Sequence, residues 1–284
     1  MFKQLLRSVH DVQINGRHRA VAETWNELTR PQLLGVVGVL YSPNADETQL
    51  RIRLLAVLLA VPLATVVLRF TAVQLLEIRW LTDFVLDAAG LTAQLLPSLR
   101  LCGWRHWLQR RCWGPRESLR NVSFAEFIFA DAYFVAYAKG QKADFLDLLV
   151  AVLYRPQRWP YRPRAAGYGG DRRQAFNEHL VRRRAAVLAQ LPRGQKLAVL
   201  TWYRGCRQQL ETDFPLVFQA APEADASAPA SAGWGQVLRE LSGQAFGTLE
   251  QTKQQPIRLV LAKMQDDAAR AQELARRTKE NAPS

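Results

Sequence analysis

Apolar positions along this chain recur mainly at steps of three and four, the spacing that lays a stripe along one face of a helix. After Pro31, which suits a first helical turn, "QLLGVVGVLY" runs until Ser42-Pro43 stops it. A second helical stretch covers about residues 46–68. Pro62 should kink or split it, because proline lacks an amide and collides with the preceding turn. A third covers about residues 72–89, with Leu75, Ile78, Leu81 (or Thr82) and Val85 on one face and Gly90 as a C-terminal cap. Residues 91–121 are less regular and read as a connection with a short helix inside.

Beyond them, Ser123 and Glu126 form a capping box for a helix through Phe127, Ala130, Phe134 and Tyr137, ended by Gly140. The next, about residues 143–154, buries Phe145, Leu148, Leu149 and Val152. A weaker cap, Asp171 with Gln174, starts a helix to about Gln190, in which Arg182 to Arg184 mostly face outward. Further helices are expected over residues 194–214, 234–243 and 257–280. In the last, Ile257, Leu261, Met264, Ala268 and Ala271 make a narrow seam that packs on a partner or on the body. Thr24 with Glu27 is another capping box. No alternating strand pattern with hairpin turns and no fixed-period repeat stands out. The expected class is all-α: an irregular multi-helix domain over residues 1–219, an Ala/Pro/Ser linker over 220–233, and a C-terminal helical arm over 234–284.

Composition alters this picture in one respect. The 284 residues are 49% apolar, enough for a sizeable core, yet the net charge is +13. Residues 100–120 hold six arginines against Glu117, and residues 155–184 hold nine against Asp171 and Glu178. These two windows carry almost all of the excess. They read either as a surface for a polyanion, an acidic protein face or an anionic membrane, or as solvated arginine-rich helix faces. Three cysteines do not make a disulfide framework, which points to a reducing cytoplasm. The N-terminal apolar run is too short for a signal-peptide core. "LLAVLLAVPLATVVL", residues 54–68, is uncharged but falls short of a span of about 20 residues, so a buried core helix is expected and membrane association is the alternative.

Candidate chemistry is sparse. Cys102, His106 and Cys112 are spaced poorly for structural zinc, with a fourth ligand left to His179 or Cys206, and no metal is expected. No local motif supports a Cys-His nucleophile, and Asp144 and Asp147 read as helix N-terminal charges. "GYGGDRR" enters a helix start, but lacks the phosphate-loop pattern and puts Asp171 where an anion would dock. No catalytic residue and no cofactor are assigned, and the chain is expected not to be an enzyme.

The distinctive stretch is "YRPQRWPYRPR", residues 154–164. Its three prolines exclude helix and central strand and stiffen the loop. Its arginines can stack on rings or fork onto carboxylate or phosphate, and the same residue types favour interface hot spots. It is either a contact surface or a packed connection whose arginine heads stay wet. Arg155, Arg158, Trp159, Tyr161, Arg162 and Arg164 are the candidate contact residues, with Arg172 and Arg173 beside them.

Taken together, "NVSFAEFIFADAYFVAYAKGQKADFLDLLVAVLYRP", "GDRRQAFNEHLV" and "LAVLTWYRGCRQQLETDFPLVF" resemble a type of bacterial prophage tail-module protein, similar in layout to tail-assembly chaperones, over roughly residues 120–220. The resemblance rests on helix order, the Leu-Tyr-Arg-Pro step and aromatic placement. It implies a non-enzymatic role, engaging another phage protein during virion assembly. The resulting expectation is an assembly or scaffold protein whose partner has an acidic surface, contacted by the basic aromatic loop and the C-terminal helix. The alternative is a nucleic-acid binder that places the same arginines on phosphates.

Overall fold

The computed structural model describes residues 9–14, 17–43, 46–86, 90–101, 110–166, 168–218, 230–243 and 245–280. The fold is predominantly α-helical, as the periodicity indicates, with two small antiparallel sheets. Strands β1 (Val9–Ile14) and β2 (Arg17–Ala22) pair with Val9 opposite Ala22 and Ile14 opposite Arg17. The sequence reading overlooked this hairpin, although Asn15-Gly16 separates its strands by two residues, a strong hairpin spacing.

The Thr24 box closes only a 3-10 turn over Trp25–Glu27. A second box sets the start of α1 (Arg30–Leu40): the Thr29 amide donates to Gln32 Oε1 at 2.9 Å and the Gln32 amide to Thr29 Oγ1 at 3.4 Å. Pro62 splits the next stretch as expected. Helices α2 (Glu47–Leu58) and α3 (Leu63–Arg69) meet at 114°. Among the described residues no single helix is long and apolar enough to cross a membrane. Leu54, Leu55, Leu58, Leu59 and Val66 are buried, but Leu63, Val67 and Leu68 are exposed. The third stretch is shorter than expected: α4 (Ala72–Ile78), a 3-10 turn over Arg79–Thr82, then α5 (Asp83–Leu86). Leu81, Thr82 and Val85 reach the core, while Val73, Leu76 and Trp80 are exposed.

Within 91–121 the described residues form two short strands and a 3-10 turn over Glu117–Leu119, and residues 102–109, on which much of the expected short helix falls, lie outside the described residues. β3 (Ser98–Leu101) pairs with β4 (Arg110–Trp113), which in turn pairs with the two-residue β5 (Arg155–Pro156). Between β4 and β5 lie α6 (Phe124–Gly140) and α7 (Ala143–Leu153). The Ser123–Glu126 box opens α6 as expected, and Gln141, at φ 48°, takes the left-handed position after it. The helix expected from Asp171 begins ten residues later, as α8 (Val181–Leu188). Then follow α9 (Arg193–Asp213), α10 (Pro215–Phe218), α11 (Ala230–Leu241), α12 (Leu249–Gln254) and α13 (Ile257–Glu280).

The chain divides into two compact units, Met1–Leu96 with Pro192–Cys206 and Pro97–Leu191 with Arg207–Ser284. In the first, residues 90–93 are gripped on two sides. Asn26 Oδ1 accepts from the amides of Thr92 and Ala93, both at 2.8 Å, and Trp202 Nε1 donates to the Thr92 carbonyl at 3.2 Å. Gly38, inside α1, has open space where a side chain would begin. Gly38→Ala is therefore expected to stabilise this unit by about 0.5–1 kcal/mol, through lower chain entropy alone, read as a raised urea midpoint at unchanged slope.

In the second unit, α11 and the start of α13 pack against α6. The Trp234 ring lies edge-on to Phe124, Phe127 and Phe218, at 6.2, 5.2 and 5.7 Å between centroids. Its Nε1 donates to buried Asp131 Oδ2 at 3.1 Å, and Arg207 Nε donates to Oδ1 of the same carboxylate at 2.6 Å. The start of α13 is tied to α6, with the Phe124 amide on Gln255 O at 2.8 Å and the Ile257 amide on Val122 O at 3.0 Å. Ile257, Val260 and Leu261 are buried, whereas Leu274 near the other end is exposed. The expected linker falls largely on residues 220–229, outside the described residues; residues 230–233 already belong to α11.

Candidate functional site

Residues 154–174 leave the core and return to it. Strand β5 ends the inward path, and the chain closes on itself at the base of a loop. The Gln174 amide donates to Pro156 O at 2.9 Å, the Arg158 amide donates to Arg172 O at 3.0 Å, and Gln157 bridges to Arg173. The described residues between Arg158 and Arg172 thus form a loop on a pinned stem.

Beneath the stem lies a buried charge cluster. Arg155 and Arg173 are 1% and 2% exposed, and both point at Glu126, the acid of the α6 capping box. Arg155 Nη1 pairs with Glu126 Oε1 and also donates to Val152 O at 2.9 Å, while its Nε donates to Gln174 O at 2.7 Å. Arg173 Nη1 donates to Glu126 Oε1 at 2.9 Å and to Leu153 O at 3.0 Å. Its Nη2 donates to Asn121 O at 2.9 Å and to Asp171 Oδ2 at 2.8 Å. Glu126 Oε2 still accepts from the Ser123 amide at 3.1 Å. Two guanidiniums and two carboxylates therefore neutralise one another with most donors engaged, the condition under which buried charge is tolerated. Burial pulls the Arg155 guanidinium below arginine's usual range, against the pull of Glu126. Burial acts on Arg173 too, but Glu126 and Asp171 outweigh it and raise it.

This corrects the sequence reading at three positions. Arg155 and Arg173 hold the loop from below and have no surface to offer a partner. Asp171, expected to cap a helix, is instead the second counterion. Tyr161 and Arg172 are half-buried in the stem: the Arg172 guanidinium carbon lies 3.5 Å from the Trp113 ring centroid and 4.7 Å from that of Tyr161. Arg172 Nε also donates to Gln157 Oε1 at 2.7 Å. A planar cation between two rings is a bracing contact that lysine could not reproduce. Tyr161 in turn packs edge-on against Tyr168, with centroids 5.8 Å apart.

What remains outside is the head of the loop: Arg158, Trp159, Arg162 and Arg164, all exposed, with Trp159 at 92%. The sequence identified these residues but not what fixes them. Glu126 read only as a helix cap, and Trp113 belonged to a stretch taken for a connection.

A cavity of about 670 Å³ opens beside the cluster, lined by Glu126, Arg155, Asp171, Phe176, His179, Lys253 and neighbours. Of its carboxylates, Glu126 and Asp171 are engaged by arginine and Glu250 pairs with Lys253 at 2.9 Å, while His179 lies on the surface with Glu178 Oε1 at 3.9 Å. Among the described residues no three His, Cys, Asp or Glu side chains are grouped to hold a metal. Cys102 and His106 of the weighed zinc set lie outside the described residues. Cys112 is buried, and Cys206 is buried with its Sγ 3.8 Å from Thr92 O.

The class these features define is a predominantly helical protein carrying a braced, cationic loop. Comparison with known protein families, with curated proteins and with solved structures found no match.

Proposed function

We propose that the chain is a non-enzymatic assembly or scaffold protein that engages an acidic protein surface through Arg158, Trp159, Arg162 and Arg164. The observation that carries this reading is the contrast within one loop. Its stem is fixed by Arg172 between two rings and by buried ion pairs, while Trp159 at its head is 92% exposed. A large aromatic so open, ringed by arginines and held on a stiff support, is the composition of an interface hot spot with little ordering entropy left to lose. A phage-tail-like module is the setting that the resemblance over residues 120–220 implies.

The test uses the full chain with phage tail-tube and tape-measure proteins as probes. Binding by the wild type is expected to fall at least tenfold in Trp159→Ala/Arg162→Ala/Arg164→Ala, with the melting temperature unchanged. A wild type that binds none of them, or a triple variant that binds as well, overturns the proposal. Titration with duplex and single-stranded DNA at two salt concentrations separates the nucleic-acid alternative. Affinity for DNA that falls steeply with salt and depends on the same three residues would put phosphate in place of carboxylate as the ligand.

A further inference from the structure

A second concavity lies where α8 passes over the three-stranded sheet. Its volume is about 460 Å³, within the range of small-molecule sites, and its lining is mostly apolar. Leu101, Leu188 and the ring of Tyr154 contribute to its walls, and Leu180 and Val187 stand partly exposed at its rim. Three arginines converge on this apolar space. Arg111 and Arg183 are exposed at the edge, whereas Arg184 is drawn inward. Arg184 Nη2 donates to Gln174 Oε1 at 3.2 Å, but its Nη1 is buried and has no hydrogen-bond partner. A buried guanidinium nitrogen left unpaired is costly, and a carboxylate oxygen is the acceptor that satisfies it best.

We propose that this concavity binds a small organic anion with an apolar tail, of the medium-chain fatty-acid type, its carboxylate on Arg184 and its chain along Leu188 and Val187. The site recognises two things at once. The walls reward methylene groups, and the arginines reward a single negative head, so neither a neutral alcohol nor a short carboxylate fits both. Burial pulls the Arg184 guanidinium below its usual range, the direction an incoming anion would reverse. The residues involved are separate from the exposed head of the basic loop, so this inference stands whether or not the assembly role does.

The experiment is isothermal titration calorimetry of the full chain with decanoate below its micellar concentration, with octanoate and decanol as comparisons. Saturable decanoate binding at one site is expected, about tenfold weaker for octanoate and at least tenfold weaker for decanol. Arg184→Gln should weaken decanoate at least tenfold. Val187→Glu, a change at the partly exposed rim that places a carboxylate at the entrance, should do the same even if the arginine variant folds poorly. Absence of saturable binding, equal affinity for decanol, or decanoate binding unaltered in both variants overturns the proposal.

Discussion

Glu126→Ala is expected to destabilise the second unit by about 3–5 kcal/mol, the penalty seen when one partner of a buried ion pair is removed. Glu126 is the shared acceptor of Arg155 and Arg173, each almost wholly buried. Without it, two guanidiniums are left with Asp171, whose side chain is 27% exposed and 3.7 Å from Arg155 Nη2. The same change removes the acceptor for the Ser123 amide and weakens the start of α6. Denaturant unfolding of the full chain should show the later or earlier of two transitions shifted, whichever reports residues 97–191 and 207–284. Arg162→Ala, at the exposed head of the same loop, should leave both midpoints within about 0.5 kcal/mol. A loss below about 1 kcal/mol for Glu126→Ala would mean that the cluster is not a structural keystone. The loop's stiffness would then need another source.

Gly205→Ala carries the second large effect, and its sign is the informative part. In a helix interior, glycine to alanine ordinarily stabilises by about 1 kcal/mol. Gly205 lies in α9, but a methyl group there would sit 2.5 Å from Leu91 O and 2.8 Å from Leu91 N. Those are backbone atoms of a segment that Asn26 and Trp202 already hold, so they cannot step aside cheaply. The clash should outweigh propensity and leave a net loss of about 2 kcal/mol or more from the first unit. Gly38→Ala and Gly205→Ala are the same chemical change in two helices and are expected to move the urea midpoint in opposite directions. An increase at both positions would show that α9 and residues 90–93 are not in close contact.

The parts of this architecture that the sequence disclosed are those encoded within a few residues. Helices α6, α7, α9 and α13 announce themselves through apolar steps of three and four with a serine–glutamate cap, glycine or proline at an end. The β1–β2 hairpin was legible in Asn15-Gly16 and was overlooked, whereas β3 to β5 were not legible, because β3 and β4 are four residues each, with Arg100, Arg110 and Arg111 inside them, and β5 has only two residues. Their pairing, Cys112 opposite Pro156, joins positions far apart in the chain. The candidate site divides the same way. Clustering of arginine and aromatic residues over 154–164 was visible directly. Which arginines would be buried depends on Glu126, separated from Arg155 by α6 and α7 and from Arg173 by the loop as well. Arg184, grouped with its neighbours as outward-facing, is turned inward by a sheet that the sequence reading did not contain.

One feature of the chain's path bears on its synthesis. The first unit is closed by Pro192–Cys206, made only after the whole of residues 97–191. At elongation rates of about 5–20 residues per second, the nascent N-terminal segment waits on the order of 5–20 s for Trp202 and Gly205 to arrive at residues 91–92. Translation that stops short of α9 therefore leaves an N-terminal half that is long enough to collapse but lacks the helix that completes it. Such a fragment is a substrate for chaperones or proteases rather than a working domain.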